Sequence, residues 1–222
     1  MPALRDDIDP DGLLEYSVVF SDRSLNSMSD AFGDVMRDIS RIMRNAYGAA
    51  SIAVVPGGGT YGMEAIARQF VKDASVLVIR NGWFSYRWSQ IIDAGGLAKQ
   101  TTVLAARQLE DSTDASFAPC PLEEITARIR AEKPDVVFCP HVETSAGMMV
   151  PDDFIATVAA AVHAHGGLFV LDCVASGTVF VNLEETGVDV LLTAPQKGWS
   201  ASPCAALVMM SPHARARLEE TT

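Results

Sequence analysis

The chain has 222 residues, enough for one large domain, and its 28 acidic and 17 basic side chains give a formal net charge of −11. This acidic balance argues against nucleic-acid binding, and 49% hydrophobic with 20% charged residues argue against a disordered chain. The sequence has no run of roughly 18 apolar residues and no signal-peptide pattern, so we predict a cytoplasmic protein without a membrane partner.

The predicted elements begin after a polar arm. Residues 1–16 are predicted to form this N-terminal arm, and residues 17–222 to form one domain. Apolar residues at helical spacing predict a helix over Leu25–Tyr47, after which short apolar runs alternate with helical stretches. The predicted strands are Ser51–Val55, Val76–Arg80, Thr101–Ala105, Val136–Cys139, Leu168–Leu171, Val190–Thr193 and Ala205–Met210, and the helical candidates between them are Gly62–Phe70, Phe84–Ala94, Leu122–Glu132 and Asp152–His165.

This alternation predicts an α/β fold. Strands that are apolar on both faces and separated by helices form a mostly parallel sheet covered on both sides. We therefore expect a three-layer sandwich around a seven-stranded, mostly parallel sheet. The final strand could be antiparallel, because only a short loop precedes it. In such sheets ligands bind outside the carboxyl ends of the strands, so the functional residues are expected in the loops there.

The loop after the first strand, residues 56–62, is rich in glycine and leads into a helix. Glycines let the backbone approach an anion closely, and a helix N-terminus offers free N–H groups. A phosphate could lie on Gly58, Gly59 and Thr60, although an ordinary strand-to-helix turn explains the same residues. The loop has neither the dinucleotide GxGxxG pattern nor the Gly-Lys-Ser/Thr of a P-loop.

Four aromatic residues follow the second strand, within residues 83–88. One of them could stack on a flat heteroaromatic ligand. For any single one of the four, packing of the helix against the sheet is the better explanation. The aromatic residues therefore indicate a ligand site only in combination with the residues of the other loops.

The fourth strand leads into His141–Gly147, where hydroxyl side chains could bond a ligand oxygen or cap the next turn. His141 has little support as a metal ligand, because the sequence has no second candidate ligand at a matching spacing. The other histidines (His163, His165 and His213) are predicted on helices as surface or packing residues.

The four cysteines (Cys120, Cys139, Cys173 and Cys204) form no CxxC pair and are predicted to be reduced, mostly buried thiols. The sequence therefore predicts no metal site.

Two charged side chains lie at the ends of buried strands. Asp172 needs a partner there, which could be a ligand cation, a backbone N–H group or a buried arginine. Lys197 lies among small residues, and a partly desolvated lysine can act as a nucleophile or a base. Together with the glycine loop, a stacking aromatic and a hydroxyl, these residues are the parts needed to hold pyridoxal phosphate. Lys197 would bond the cofactor covalently, and Asp172 would keep its ring nitrogen protonated.

Five segments extend this pattern over nearly the whole chain, from about Ser17 to the last strand. They are Pro-Gly-Gly-Gly-Thr-Tyr-Gly-Met-Glu-Ala (56–65), Asn-Gly-Trp-Phe (81–84), His-Val-Glu-Thr-Ser-Ala-Gly (141–147), Leu-Asp-Cys-Val-Ala-Ser (171–176) and Ala-Pro-Gln-Lys-Gly (194–198). In this order they resemble the class V aminotransferases of fold type I, and most of all the alanine–glyoxylate and serine–pyruvate branch. The resemblance implies that residues 17–222 are the large domain of such an enzyme, which binds pyridoxal 5′-phosphate.

The resemblance also implies a role for each matching residue. Lys197 and Asp172 would be the catalytic residues, one bonded to the cofactor and the other to its pyridinium nitrogen. The further cofactor contacts would be Gly58, Gly59, Thr60 and Gln196 at the phosphate, Thr144 at the ring oxygen, Val174 at the inner face of the ring, and Phe84 as the stacking aromatic, with the adjacent Trp83 as the alternative.

The function implied is transamination of a small amino acid, with glyoxylate or pyruvate as the amino acceptor, in a homodimer. Family members are considerably longer and continue into a small C-terminal domain, which carries the arginine that binds the substrate carboxylate. We therefore expect that domain to be absent from this chain, so the activity of the 222 residues alone is a separate question.

The sequence leaves three alternatives to an aminotransferase to consider. A class V lyase of the cysteine desulfurase kind usually has a histidine over the cofactor ring, where this chain has Trp83 and Phe84. A truncated domain without catalytic activity would keep the fold alone. A nucleotide-binding Rossmann domain is disfavoured, because the second strand ends in Arg80 and not in an acidic residue.

Overall fold

The computed structural model describes residues 27–220. Its strands, in chain order, are β1 (Ser51–Pro56), β2 (Ser75–Arg80), β3 (Gln100–Ala105), β4 (Arg107–Gln108), β5 (Phe117–Ala118), β6 (Val136–Pro140), β7 (Val142–Glu143), β8 (Met148–Met149), β9 (Leu168–Asp172), β10 (Val190–Thr193) and β11 (Ala205–Met210). Its helices are α1 (Asp30–Tyr47), α2 (Gly59–Phe70), α3 (Trp83–Gly95), α4 (Leu122–Glu132), α5 (Asp152–His163), α6 (Leu183–Thr186) and α7 (Pro212–Glu220). The two-residue strands form two short ribbons, β4 with β5 and β7 with β8.

The other seven strands form one sheet in the order β1-β11-β10-β9-β6-β2-β3. The pairs β10–β9, β9–β6, β6–β2 and β2–β3 are parallel, whereas β11 runs antiparallel to both of its neighbours, β1 and β10. The seven predicted strands, the mostly parallel sheet and the antiparallel final strand are thus confirmed. The carboxyl ends of β1, β2, β6, β9 and β10 meet at one edge of the sheet, as predicted for the functional loops.

Helices cover both faces of the sheet. On one face α2, α3 and α7 pack over a core that includes Ile66, Trp88 and Ala214 together with alternate strand residues such as Val170 and Leu192. On the other face α5 contacts β9, and α4 and α6 pack against α5. The central strands β6, β9 and β10 are buried at every position, which is the pattern of a parallel sheet covered on both sides.

Some boundaries differ from the prediction. Helix α2 begins at Gly59 rather than Gly62, because the extended residue Gly58 is its N-cap and the glycine loop is shorter than the sequence suggests. Helix α5 ends at His163, so His165 lies in the turn that follows it rather than on the helix. The short helix α6 was not predicted. The predicted arm over residues 1–16 lies outside the described residues.

The described residues fall into two compact units that meet between Ile42 and Met43 within α1. In the first unit, Ser29 caps the start of α1, because its Oγ accepts the backbone N–H of Phe32 at 3.1 Å. The second unit contains the sheet and the other helices. Of the helices between residues 27 and 220, none is both long enough and apolar enough to cross a membrane.

Candidate functional site

A pocket of about 210 Å³ lies at the carboxyl edge of the sheet, within the second unit. It draws side chains from five loops or helix starts, each of which follows a different strand. Eight of the ten predicted site residues line it, namely Gly59, Thr60, Phe84, Thr144, Asp172, Val174, Gln196 and Lys197. The structure thus brings together residues that are up to 138 positions apart in the chain (197 − 59).

The amino end of α2 forms one wall of the pocket. Gly58 is the N-cap and lies just before the pocket-lining residues Gly59 and Thr60. The first N–H groups of a helix have no acceptor within the helix, so this wall can bind an anion. A side chain at position 59 would crowd Val174, since its Cβ would lie 3.1 Å from that residue. Glycine at this position therefore lets Val174 reach the pocket beside the anion-binding wall.

Asp172 lies at the end of β9 and is buried, with 8% of its surface exposed. Burial raises the pKa of its carboxyl to about 6, against the lowering effect of its hydrogen bonds. Those bonds come from the backbone N–H of Val174 at 3.0 Å and from Nε1 of Trp88 at 3.2 Å. The partners of the buried Asp172 are therefore a backbone N–H group and an indole. A cation in the pocket would be a further and stronger partner.

Phe84 and Trp83 face different pockets. Phe84 lines the pocket that contains Asp172, whereas Trp83 lines a neighbouring pocket of about 640 Å³ with Arg80 and Tyr86. The side chain of Trp83 is 64% exposed and packs at a tilt on Tyr86, with ring centroids 6.0 Å apart. Of the two aromatic residues, Phe84 is therefore the one positioned for a ligand beside Asp172.

Glu143 fixes the start of α3 and with it the position of Phe84. Its buried carboxylate accepts the backbone N–H groups of Phe84 at 3.1 Å and Ser85 at 2.9 Å, and also the hydroxyl groups of Ser85 and Ser145. Burial opposes ionisation, but these hydrogen bonds prevail and hold the pKa of Glu143 below its usual value. A carboxylate at a helix N-terminus also interacts favourably with the helix dipole. Glu143 thus ties the loop that carries Thr144 to the helix that carries Phe84.

Two residues that the sequence analysis did not assign to the site come from the same face of α3. Arg87 lines the pocket, and its Nη1 donates to Oγ1 of Thr60 at 2.9 Å. Trp88 is buried and donates to Asp172, as described above. They follow Phe84 at i+3 and i+4, the spacing that places side chains on one helix face. That spacing was the available signal. Arg87 thus places a positive charge beside the anion-binding wall of α2.

Lys197 and Gln196 lie in the turn after β10 and both line the pocket. The sequence analysis expects a partly desolvated Lys197, but its side chain is exposed, because it lies in an open turn beyond the buried strand. The Oε1 atom of Gln196 is buried without a hydrogen-bond partner among the described residues. An amine and a buried amide oxygen therefore lie in one pocket, and that oxygen requires a hydrogen-bond donor.

Packing holds this turn in place. A side chain at Gly198 would overlap the backbone of Gly177, so only glycine fits directly after Lys197. Trp199 donates from Nε1 to the hydroxyl of Tyr47 at 3.3 Å and packs on Phe180, with ring centroids 5.1 Å apart. The backbone that directly follows Lys197 is thus anchored, while the exposed lysine side chain lines the pocket.

The buried His141 joins the loop after β6 to the loop after β9. Its Nδ1 lies 2.7 Å from Oγ of Ser176, and its backbone N–H donates to the carbonyl of Asp172 at 2.9 Å. Burial lowers the pKa of His141 and thus favours the neutral ring. It therefore acts as a structural link below the pocket.

The arrangement has a definite chemical capacity. The pocket offers a helix N-terminus and an arginine for an anion, a buried carboxyl for a cation, an aromatic ring for stacking, and a primary amine. A ligand that joins a phosphate, a flat ring with a basic nitrogen and an aldehyde would satisfy every one of these groups. The site and the three-layer sheet together define an α/β protein with a pyridoxal-phosphate type of pocket.

Comparison with known proteins agrees with this class. The family model "Aminotransferase class-V" matches residues 14–220, and the chain belongs to this family. Membership implies pyridoxal 5′-phosphate as the cofactor.

Similar proteins include several aminotransferases. L-aspartate–glyoxylate aminotransferase of Paracoccus denitrificans is 32% identical over 183 residues, which are 77% of this chain and 41% of that protein. 2-Aminoethylphosphonate–pyruvate transaminase of Burkholderia mallei is 31% identical over 180 residues, covering 79% of this chain and 46% of that protein. The crystal structure of alanine–glyoxylate aminotransferase from Nostoc sp. superposes with a TM-score of 0.73 at 27% identity, covering 88% of this chain and 49% of that one. The chain thus spans about half the length of the relatives it matches.

Proposed function

We propose that the chain is the cofactor-binding part of an aminotransferase that uses pyridoxal 5′-phosphate. The observation that carries the proposal is the single pocket lined by Lys197, Asp172 and the amino end of α2. The donor would be a small amino acid and the acceptor glyoxylate or pyruvate, in line with the relatives that use these acceptors by name. Residues 17–222 would form the large domain of the enzyme.

The residues present fit this cofactor. The Nε2 group of Gln196, which can donate, and the amino end of α2 at Gly58, Gly59 and Thr60 would hold the phosphate. The other ligands to the cofactor would be Asp172 at the ring nitrogen, Thr144 at the ring oxygen, and Phe84 and Val174 against the ring. Arg87 would add positive charge near the phosphate through its bond to Thr60. The raised pKa of Asp172 is what a carboxyl awaiting a cationic partner would have.

Bound pyridoxal phosphate supplies an aldehyde that condenses with amines and a ring that accepts electrons. Lys197 would bond the cofactor in the resting enzyme and, once displaced by the substrate amine, would move the proton from the substrate α-carbon. Asp172 would hold a positive charge on the ring nitrogen by offering a buried negative charge to it. Glu143 and Trp88 would act as positioning residues, the first for Phe84 and the second for Asp172.

The protein is further proposed to be a homodimer in the cytoplasm. The resemblance to enzymes whose active sites form between two subunits supports a homodimer. Three of the four cysteines are buried and all four are free, which supports a reducing, cytoplasmic location.

The test of transamination is a panel of donors and acceptors. The purified protein loaded with pyridoxal phosphate is mixed in turn with L-alanine and glyoxylate, and with L-aspartate or 2-aminoethylphosphonate together with glyoxylate or pyruvate. We expect glycine or alanine to form in at least one pair, quantified by amino-acid analysis. A protein that holds the cofactor but forms no new amino acid shows that the cofactor-binding part is not active by itself, whereas one that takes up no pyridoxal phosphate contradicts the proposal. Release of sulfide or alanine from L-cysteine alone would replace it with the lyase function.

The choice between the two aromatic residues gives a separate prediction. Phe84→Ala should weaken pyridoxal phosphate binding by about tenfold or more, because the stacking contact is lost from the pocket. Trp83→Ala should change the dissociation constant by less than about twofold, because Trp83 lines the neighbouring pocket. Fluorescence titration with the cofactor measures both values. If Trp83→Ala produces the larger loss, the assignment of Phe84 is wrong.

A further inference from the structure

A second cluster of polar side chains lies at the edge of the sheet opposite the cofactor pocket. His163 ends α5, Asp189 directly precedes β10, and His213 lies in the first turn of α7. The Nε2 atom of His163 is 2.8 Å from Oδ2 of Asp189, and Nδ1 of His213 is 3.2 Å from Oδ1. All three side chains offer an atom within 4.8 Å of the other two. Three elements that are distant in sequence therefore meet at two imidazoles and one carboxylate.

The carboxylate of Asp189 is held in place by hydrogen bonds from neighbouring strand and loop residues. Only 2% of Asp189 is exposed, and its oxygens accept the backbone N–H of Phe169 at 2.9 Å and the hydroxyl of Ser211 at 2.9 Å. The carboxylate is therefore held in one orientation by groups of the protein core. Hydrogen bonds that orient a carboxylate in this way are the outer shell that metal ligands require.

The two imidazoles are accessible. The side chains of His163 and His213 are 39% and 40% exposed, and their ring centroids lie 5.9 Å apart at an interplanar angle of 78°. About three fifths of each side chain is covered by the protein, and the rest faces solvent. The open side of the cluster therefore leaves room for an ion and for water.

The distances suit a small divalent ion. Two ligands bound to one zinc ion at about 2.0–2.1 Å lie about 3.3 Å apart in tetrahedral geometry. The two histidine–carboxylate distances, 2.8 and 3.2 Å, are close to this value and run to different oxygens of Asp189, so an ion between the two rings would meet the edge of the carboxylate that carries both. The gap between the two imidazole nitrogens is at most 4.8 Å, and it can close by rotation of the exposed rings. Two imidazoles favour zinc over calcium or magnesium, which prefer oxygen ligands.

We propose that His163, Asp189 and His213 bind one zinc ion, with water at the remaining position, and that this ion clamps α5, β10 and α7 together. Each imidazole would present a lone pair where it now donates to Asp189, so its proton moves to the other ring nitrogen or to solvent. The sequence analysis predicted no metal site, because ligands 24 and 26 residues apart on three elements form no spacing motif. The proposal is independent of the aminotransferase function.

The test is a zinc titration of the tag-free protein in competition with a chromophoric chelator. We expect one zinc ion per chain, and at least about a tenfold loss of affinity in His163→Gln and in His213→Gln. Glutamine can still donate to Asp189 but is a poor zinc ligand, so these variants keep the hydrogen bond that supports the fold. If one variant fails to fold, the other decides, and circular dichroism identifies the failure.

Two matched controls locate the ion. His165→Gln should bind zinc like the unaltered protein, because the ring of His165 bonds the carbonyl of Pro134 instead. Cys204→Ser should do so as well, although Cys204 is an exposed thiol that could capture zinc. Zinc should also raise the melting temperature of the unaltered protein and of both controls, but not of the two cluster variants. No zinc uptake, or equal affinity in the cluster variants, would overturn the proposal and leave a hydrogen-bond network only.

Discussion

Replacing Lys197 with alanine should abolish covalent capture of pyridoxal phosphate. The unaltered protein, mixed with the cofactor and reduced with borohydride, should carry a pyridoxyl group on the peptide that contains Lys197. Lys197→Ala should carry none, and any transamination should fall by more than about a thousandfold, because the group that bonds the cofactor and moves the substrate proton is lost. Mass analysis of the digested protein and a yellow absorbance band that reduction removes are the two measurements.

The physical reason lies in the placement of the four lysines. Lys72, Lys99 and Lys133 lie elsewhere in the structure, and Lys197 is the lysine that lines the pocket with Asp172 and the amino end of α2. A neutral amine is the nucleophile toward an aldehyde, and an anchored phosphate would hold that aldehyde in reach. Proximity in the pocket therefore selects Lys197 over the three other primary amines.

Lys99→Ala is the matched control, because Lys99 is exposed and its bond to the carbonyl of Ala74 comes from the backbone N–H, which the substitution keeps. It should leave the adduct on the Lys197 peptide unchanged. A pyridoxyl group found on Lys99, or on several lysines in equal amounts, would mean that the pocket does not select its amine. A Lys197→Ala protein that still yields a single trapped adduct would disprove the assigned role.

The strands and their directions could be predicted because burial leaves a local pattern. Runs such as Leu168–Leu171 are apolar at consecutive positions, which is the pattern of a strand in a sheet covered on both faces. The start of α2 was placed three residues late, because the extended Gly58 that begins it has no capping side chain to mark the position. Helix α6 has only four residues, too few for a periodic pattern.

Most residues that line the pocket could be predicted as well, because they lie at the carboxyl ends of strands or within a few residues after them. Arg87 and Trp88 were missed because they act from the second turn of a helix, and nothing local distinguishes them from packing residues. The cluster of His163, Asp189 and His213 was missed for a stronger reason. It exists only where three distant elements converge, and such convergence has no signature along the chain.

Asp172→Asn should have opposite effects on activity and on stability. Loss of the buried negative charge should lower transamination by about a hundredfold or more, because the ring nitrogen loses the partner that keeps it positively charged. The same substitution should stabilise the protein without added cofactor above pH 7. Burial raises the pKa of this carboxyl from 3.8 to about 6, so ionising it in the folded protein costs about 3 kcal/mol more than in the unfolded chain.

The sign of the pH dependence follows from the proton count. Between pH 3.8 and about 6 the folded protein binds the proton of Asp172 more tightly than the unfolded chain does, so the free energy of unfolding falls as the pH rises. Carboxylates with lowered pKa values, such as Glu143 and Asp189, give the opposite slope and are common to both proteins. The difference between the unaltered protein and the variant therefore isolates Asp172. Asparagine has one acceptor oxygen for two donors, so the net gain at pH 7.5 should be about 2 kcal/mol.

Urea unfolding at pH 4.5 and pH 7.5 measures this difference, and Asp93→Asn is the control. Asp93 is exposed on the same helix as Trp88, and its substitution should change stability by less than about 0.5 kcal/mol at both pH values. Added pyridoxal phosphate should then raise the melting temperature of the unaltered protein more than that of Asp172→Asn, because only the aspartate gains an opposite charge. An equal rise in both proteins would mean that the cofactor does not meet Asp172. The cost of burying this carboxyl would then have no connection with the proposed chemistry.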